Sequence, residues 1–429
     1  MTDLRTGVLI VGAGPAGIAA ACTAAESGAQ VLLLDDNPES GGQIWRGNAK
    51  YHEPGARRWC RRFEQCGARL LSGTRALAPA DPGTLLAEQD GKPLRVRFSK
   101  LVLATGAREL LLPFPGWTLP RVAGAGGLQA LIHGGVPIRG QRVVVAGSGP
   151  LLLAVAAHLR QMGAEIAAVA EQAALASLIR FAAGLPPGKL VQAIQLRYGL
   201  RGVPLLFSAW PIAAEGCGRL RSVELQTRSG RRRFECDYLA CGFGLVPNTE
   251  LAQLFGCALR PRFGTTRFVA VNKWQQTSIP DVLCAGEPTG IGGLDKSLME
   301  GEVAGHVASG LMDRVRNQGA KRRRVHLFTT RLATAFSLRE ELRQLCLPDT
   351  IVCRCEDVPF GQICAHSDWR SAKLQTRCGM GPCQGRICGG ALGFLKGWHD
   401  ASHSVRPPVY PASFGTLASI AAVESTDHS

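Results

Sequence analysis

Two close pairs of cysteines stand near the end of the sequence. Cys353 and Cys355 sit in Cys-Arg-Cys-Glu-Asp, and Cys383 and Cys388 in Gly-Met-Gly-Pro-Cys-Gln-Gly-Arg-Ile-Cys-Gly. Four thiolates grouped in this way can hold either Zn²⁺ or an iron–sulfur cluster. The Cys-x-Cys spacing is uncommon for structural zinc, which prefers CxxC-type knuckles. Glycines around Cys383 and Cys388 would let backbone N–H groups point at cluster sulfurs. Structural zinc and plain reduced thiols remain open alternatives. Most of the other cysteines among the 15, such as Cys22, Cys241 and Cys284, are scattered singly among apolar residues. There cysteine acts as a small hydrophobe.

A second kind of chemistry is written at the start. Gly12-Ala13-Gly14-Pro15-Ala16-Gly17 follows the apolar run Gly7–Val11 and precedes a small-residue stretch, Ile18 to Ser27. A further apolar run, Gln30 to Leu34, ends in Asp35-Asp36. Strand, Gly-rich turn, helix, strand and acid is the dinucleotide-binding pattern. Gly12 permits the tight turn, Gly14 lets backbone reach a pyrophosphate, and Gly17 lets helix and strand pack closely. Pro15 and Ala16 open the helix, whose N-terminus offers N–H groups and a positive dipole end to phosphates. Asp35 is placed to accept from ribose hydroxyls.

Three more segments favour FAD over NAD. Gly41-Gly42-Gln43 can close over the pyrophosphate. The run Lys100–Gly106 carries a strand into Ala-Thr105-Gly106, where backbone can approach a cofactor. Asp281–Glu287 is a strand ending in Gly286-Glu287, whose acid can bond a ribityl chain. With the helix expected near Lys296, these resemble the fingerprints of the flavoproteins with two dinucleotide-binding domains, the group that includes thioredoxin reductase. The resemblance implies a discontinuous FAD domain over about residues 1–115 and 255–315, with a second Rossmann-like domain over 116–254.

The second nucleotide motif departs from its pattern. Gly147-Ser148-Gly149-Pro150-Leu151-Leu152 follows the strand Gln141–Ala146, and a later strand, Glu165–Ala170, ends at Glu171. The third glycine position is Leu152, whose side chain alters the phosphate pocket. Gly147, Gly149 and Glu171 could still serve a nucleotide, and Glu171 would favour NAD over NADP. ATP or ADP could use the same features, and a fold that has lost its ligand explains them equally well. A disulfide reductase also needs a redox cysteine pair beside its flavin. No CxxC occurs in the second domain, and no CxxxxC follows Gly41-Gly42-Gln43.

The cysteine segment closely resembles the [2Fe-2S] domain of the bacterioferritin-associated ferredoxin type, in its fused form behind an FAD domain. Gly41–Arg46 (GGQIWR) and Gly292–Ser297 (GGLDKS) match that fused form. The chain is therefore similar, nearly end to end, to the alpha subunit of the heteromeric flavin amine dehydrogenases. These include hydrogen cyanide synthase, opine oxidase, and the dye-linked proline and D-hydroxyproline dehydrogenases. The resemblance implies cluster ligands Cys353, Cys355, Cys383 and Cys388, with Cys378 a bystander. It adds Arg46, Lys296 and Ser297 to the FAD site. It also implies electron transfer between FAD and cluster, a flavin-containing beta subunit that oxidises an amino or imino acid, and a small gamma subunit. Two other readings are a self-sufficient NADH-dependent reductase and a non-catalytic iron–sulfur scaffold or sensor.

The expected architecture is α/β: two Rossmann-like domains, a basic linker and helix over 316–345, a small mainly helical [2Fe-2S] domain over 346–415, and a tail over 416–429. An amphipathic helix is expected at about Phe328–Leu345. The chain of 429 residues carries 52 glycines and a formal charge of +16. Its basic runs, Arg231-Arg232-Arg233 and Lys321–Arg324 among them, lack a recognition-helix pattern or aromatic platform, which argues against nucleic acid. They read as solvated faces or a docking surface for an acidic partner. No apolar stretch has transmembrane length without a break or charge. The apolar start lacks the basic flank of a signal peptide, so a cytoplasmic location is expected, with peripheral membrane contact only through partners.

Overall fold

The computed structural model describes residues 2–45, 53–261, 267–315, 319–398 and 405–418. Its first sheet grows from the apolar runs at the start. β1 (Thr2–Val11) pairs in parallel with β2 (Val31–Leu34) and with the longer β6 (Lys92–Leu103). β3 (Arg69–Leu71) extends the parallel edge beside β2. On the other flank, β4 (Thr74–Pro79) and β5 (Thr84–Gln89) pair antiparallel, β5 next to β6. The strand Val282–Cys284 returns from far along the chain to lie parallel to the end of β6. Strands covered on both faces are apolar without alternation, which explains why Val8–Val11 and all of β2 are buried.

Helix α1 (Pro15–Glu26) is wedged between this sheet and the helix Gly293–Ala308, and its residues Pro15 to Ala24 are all buried. Small side chains allow both approaches. A methyl group on Gly17 would lie 1.8 Å from the Gly12 carbonyl oxygen, and one on Gly301 would lie 2.2 Å from that of Ala16.

The chain leaves through the strand Ala107–Glu109 and returns through Leu245–Pro247, and these two crossing strands pair antiparallel. Between them lies a five-stranded parallel sheet, in the order Leu205–Phe207, Glu165–Glu171, Arg142–Gly147, Tyr238–Gly242, Val122–Ala123. A small antiparallel sheet, Trp210–Glu215, Ser222–Thr227 and Gly230–Glu235, packs beside it. The triple arginine lies on the last of these strands, where Arg233 pairs with Glu215 at 2.7 Å. That run is a solvated sheet face.

The following helix differs from expectation. It spans Gly319–Ala335 and is followed by a 3₁₀ turn over Glu340–Gln344. The break at 336–339 has a long-range cause: its backbone is recruited by Ser148 in the second Gly-rich turn and by Gln172. The Phe336 carbonyl accepts from Ser148 Oγ (3.3 Å), the Ser337 carbonyl from Gln172 Nε2 (3.2 Å), and the Arg339 N–H donates to Gln172 Oε1 (3.2 Å). The cysteine-rich segment then forms the strands Ile351–Cys353 and Val358–Pro359 and the helices Phe360–Cys364, Trp369–Thr376 and Cys388–Lys396. Asp368 caps the middle one by accepting from the Ser371 N–H at 2.9 Å. Trp117 Nε1 bonds the Ile351 carbonyl at 2.6 Å and ties this segment to the rest. Among the described residues, no helix is long and apolar enough to cross a membrane.

The close contact of α1 sets a test. Gly301→Ala should lower stability by about 1–3 kcal/mol through overpacking, read as an earlier urea midpoint. Gly188→Ala, whose added methyl meets nothing within 4 Å, should leave the midpoint unchanged or raise it slightly. Equal effects at both positions would contradict the packing account.

Candidate cofactor and metal sites

A cavity of about 1320 Å³ runs along the ends of the parallel strands. That is where open α/β sheets bind ligands. Gly12, Gly14, Pro15 and Ala16 form its wall at the first turn, with Gly42 and Gln43 across from them, and Thr105 and Gly106 beyond. Asp35 lines it too, although its carboxylate already accepts from the Ala13 N–H (2.5 Å) and the Asn37 N–H (2.8 Å). A carboxylate has further lone pairs, so acceptance from a ribose hydroxyl stays open to it. Arg46 lies outside the described residues. Gly17 stands behind the wall, where it allows the close approach of α1.

At the returning strand the sequence expectation needs revision. Glu287 and Ser297 line the cavity. Lys296 does not. Its ammonium donates to the Gly286 carbonyl, Thr289 Oγ1 and Glu300 Oε2, each at 2.7 Å. All three donors are spent inside the fold, so Lys296 holds the Gly286 turn in place. Glu287 accepts from the Gly292 and Gly293 N–H groups at 3.0 and 2.7 Å, and burial pushes its carboxyl upward.

The second turn repeats the first with a different outcome. Glu171 accepts from the Gly149 N–H at 2.8 Å and the Ala173 N–H at 2.9 Å. Burial outweighs these bonds and raises its carboxyl to about 7. Gly149 reaches the same large cavity, whereas Gly147 and Glu171 lie beneath the turn. Leu152 is buried among Val143, Val145 and Val155. The chain's own segment Phe336–Arg339 is bonded across this turn, and the Phe336 ring stands edge-on to Phe181 at 5.3 Å.

The thiols regroup. The sulfurs of Cys353, Cys378 and Cys388 all lie within 4.8 Å of one another, and all three residues are buried. Cys355 is exposed and neighbours Cys383. Cys378, expected as a bystander, is therefore an inner member of a five-thiol group. Left-handed backbone at Arg377 (φ 65°) and Gly379 (φ 81°) brackets it and turns it inward. Hydrogen bonds from Cys378 and Cys388 hold the Cys353 thiol down at about 2, and its bond to Cys353 pushes Cys378 up to about 12. The Gly379 N–H points at Cys353 Sγ at 3.5 Å. Cys388 opens the helix Cys388–Lys396, and its hydrogen bonds to Cys353 and Cys378, with burial, push its thiol upward. This donor set suits a thiolate-held metal or cluster.

Residues that the sequence did not single out join the two sites. Arg108, on the cavity wall, donates from Nε to the Arg386 carbonyl at 2.9 Å, and its guanidinium pairs with Glu250 at 2.8 Å. Arg386, two residues before Cys388, donates to the Cys383 carbonyl at 3.2 Å and lies 4.5 Å over the Tyr410 ring. Tyr410 and Glu250 line the cavity. The position of Arg386 inside the cysteine motif was the only available signal for this link.

Residues 6–307 match the family described as pyridine nucleotide-disulphide oxidoreductase. The A component of the opine oxidase of Rhizobium meliloti (strain 1021) is 31% identical, over 96% of this chain and 98% of its own length. Hydrogen cyanide synthase subunit HcnB of Pseudomonas aeruginosa is 33% identical, over 96% and 98%. Among solved structures, L-proline dehydrogenase from P. horikoshii aligns with a TM-score of 0.68 at 19% identity, covering 97% of this chain and 80% of that one. Thioredoxin reductase from T. acidophilum aligns at 0.53 and 20%, over 72% and 99%. These two structural likenesses speak for the fold.

Glu171 carries a pH prediction. Its ordinary value is 4.5 and the folded chain holds it near 7. Between those values the folded state binds more protons, so its contribution to stability falls as pH rises through that window. Glu171→Gln should therefore shrink the loss of thermal midpoint between pH 5 and pH 7.5. An unchanged difference would remove Glu171 from the account.

Proposed function

The chain belongs to the pyridine nucleotide-disulphide oxidoreductase family and groups with components of opine oxidase and hydrogen cyanide synthase; from there we propose that it is an electron-transfer subunit. It relays electrons between FAD and a [2Fe-2S] cluster within a heteromeric dehydrogenase of amines or of amino or imino acids. The observation that carries this reading is the bond from Arg108 on the cavity wall to the Arg386 carbonyl in the cysteine loop. An electron relay needs its two cofactors held at a fixed short separation, and this bond fixes the cluster loop to the rim of the cavity.

When bound, FAD supplies two-electron chemistry and the cluster one-electron chemistry. The chain's residues bind and orient. Gly12, Gly14 and Gly42 would let backbone close on the pyrophosphate, Asp35 would accept from the ribose, and Glu287 and Ser297 would hold the ribityl chain. Cys353, Cys355, Cys383 and Cys388 are the proposed cluster ligands, carried over from the family pattern. No residue on the cavity wall is assigned as a base for amine oxidation. That step belongs to a flavin-containing beta subunit, with a small gamma subunit completing the complex in the cytoplasm. Relatives named as subunits support a partnered role.

A self-sufficient NADH reductase is the second reading. The segment Phe336–Arg339, bonded across the second Gly-rich turn, speaks against it. The turn is left with an adenine nucleotide as structural ligand, NAD or ATP/ADP, or with none.

Anaerobic purification with FAD, iron and acid-labile sulfide measured together, then EPR after reduction, tests the proposal. One FAD with about two irons and two sulfides and a reduced-cluster signal is the expected result. Zinc without sulfide would overturn it. Rapid anaerobic bleaching of the flavin by NADH would favour the second reading.

A further inference from the structure

Two consecutive helices of the inserted domain, Leu175–Ala183 and Pro187–Gly199, contain no buried residue. Each is held to the body from one side. Phe181 meets the Phe328 and Phe336 rings at 6.0 and 5.3 Å, and Leu196 packs against the core that holds Leu152. The other side is apolar too. Leu175 and Ile179 stand four residues apart on the first helix. Leu190, Ile194 and Tyr198 do so on the second, with Val191 beside them, so each set forms a stripe. These six residues are between 39% (Leu190) and 67% (Tyr198) exposed. A helix apolar on both sides is ordinarily buried, and exposed apolar surface of this kind marks a contact site.

The charges around the stripes have one sign. From Gln172 to Ala214 the sequence holds no aspartate or glutamate, while Arg180, Lys189, Arg197 and Arg201 fall within or just after the two helices. Arg197 bonds the Leu200 carbonyl at 3.1 Å and Arg201 lies 5.3 Å over the Tyr198 ring, so both stay beside the second stripe. Lys189 pairs at 3.5 Å with Asp295, which is itself well exposed. Aliphatic side chains bordered by cations and a tyrosine suit a lipid interface, where the apolar stripe enters the acyl boundary and the cations meet phosphates. Protein interfaces rely instead on aromatic anchors near their centre. Here the stripes are aliphatic, and Tyr198 stands at the end of one. A second copy of this chain would bring cation against cation.

We propose that these two helices dock the protein on the surface of an anionic lipid bilayer. Their aliphatic stripes enter the acyl boundary, and Arg180, Lys189, Arg197 and Arg201 meet lipid phosphates. The helices, of 9 and 13 residues, lie in the surface and are too short to cross it. Phe181 rests on Phe336, which lines the large cavity, so a docked chain holds that cavity near the bilayer. The contact is direct and needs no partner subunit.

The full chain with its cofactors is sedimented with vesicles of phosphatidylglycerol mixed with phosphatidylcholine, and with vesicles of phosphatidylcholine alone. Binding to the anionic vesicles that weakens as salt rises is the expected result. Ile179→Asp with Ile194→Asp should lower that binding roughly tenfold or more. Arg180→Gln with Arg197→Gln should lower it roughly 25-fold at low salt, about fivefold per cation. All four positions are exposed, so an unchanged urea midpoint should accompany both losses. Arg231→Gln with Arg232→Gln, on the small antiparallel sheet, controls for the overall charge of +16 and should leave binding within about twofold of wild type. Equal losses from the two arginine pairs, or full binding by the isoleucine variant, would overturn the proposal. A wild-type chain that stays in solution with the anionic vesicles would also sink it, and would leave the stripes to a protein partner. That comparison needs no variant.

Discussion

The approach of α1 to backbone on both of its sides constrains everything else. One side meets the Gly12 carbonyl through Gly17, and the other side is met by Gly301. Because no side chain separates these backbones, the first Gly-rich turn cannot shift without moving the sheet and the helix Gly293–Ala308 together. The returning strand Val282–Cys284 is locked into the same body by β6. A cavity wall assembled from residues far apart in sequence thus behaves as one rigid surface. Rigidity of this kind is what a cofactor site needs if its partners are to stay aligned.

The C-terminal segment depends on that rigid surface through a few polar contacts. Arg108 sits on one of the paired crossing strands, with its guanidinium shared between Glu250 and the Asn248 side chain (2.8 Å to each). An arginine so held presents Nε in one direction, toward the Arg386 carbonyl. Apolar packing reinforces the placement, since Ala391, Phe394 and Leu395 join the core beneath the inserted sheet. The thiol group is anchored by a lattice of this kind on one side and by the Trp369 core on the other.

Much of this was legible in the sequence because the requirements are local. A glycine where no Cβ fits, an acid at the end of the second strand, and cysteines in close pairs can each be read without a structure. Leu152 could likewise be read as a departure, and it is found buried in the neighbouring core. What could not be read depends on contacts between distant residues. The inward turn of Cys378 needs two left-handed residues and the partners Cys353 and Cys388. The three internal acceptors of Lys296 could not be read either. The expected helix at Phe328–Leu345 fails because Ser148 and Gln172, well over a hundred positions earlier, claim its backbone.

Tyr410 and Val409 lie across the rim of the large cavity, with the Tyr410 ring between the guanidinium groups of Arg75 and Arg386. The Val409 N–H also bonds the Leu77 carbonyl at 2.7 Å. Every other described residue of the wall precedes these two in the chain. During synthesis the cavity is therefore complete in all but its rim before the strap emerges from the ribosome. A group seated in that open cleft would be covered last, by a strap that two arginines and one backbone bond hold in place.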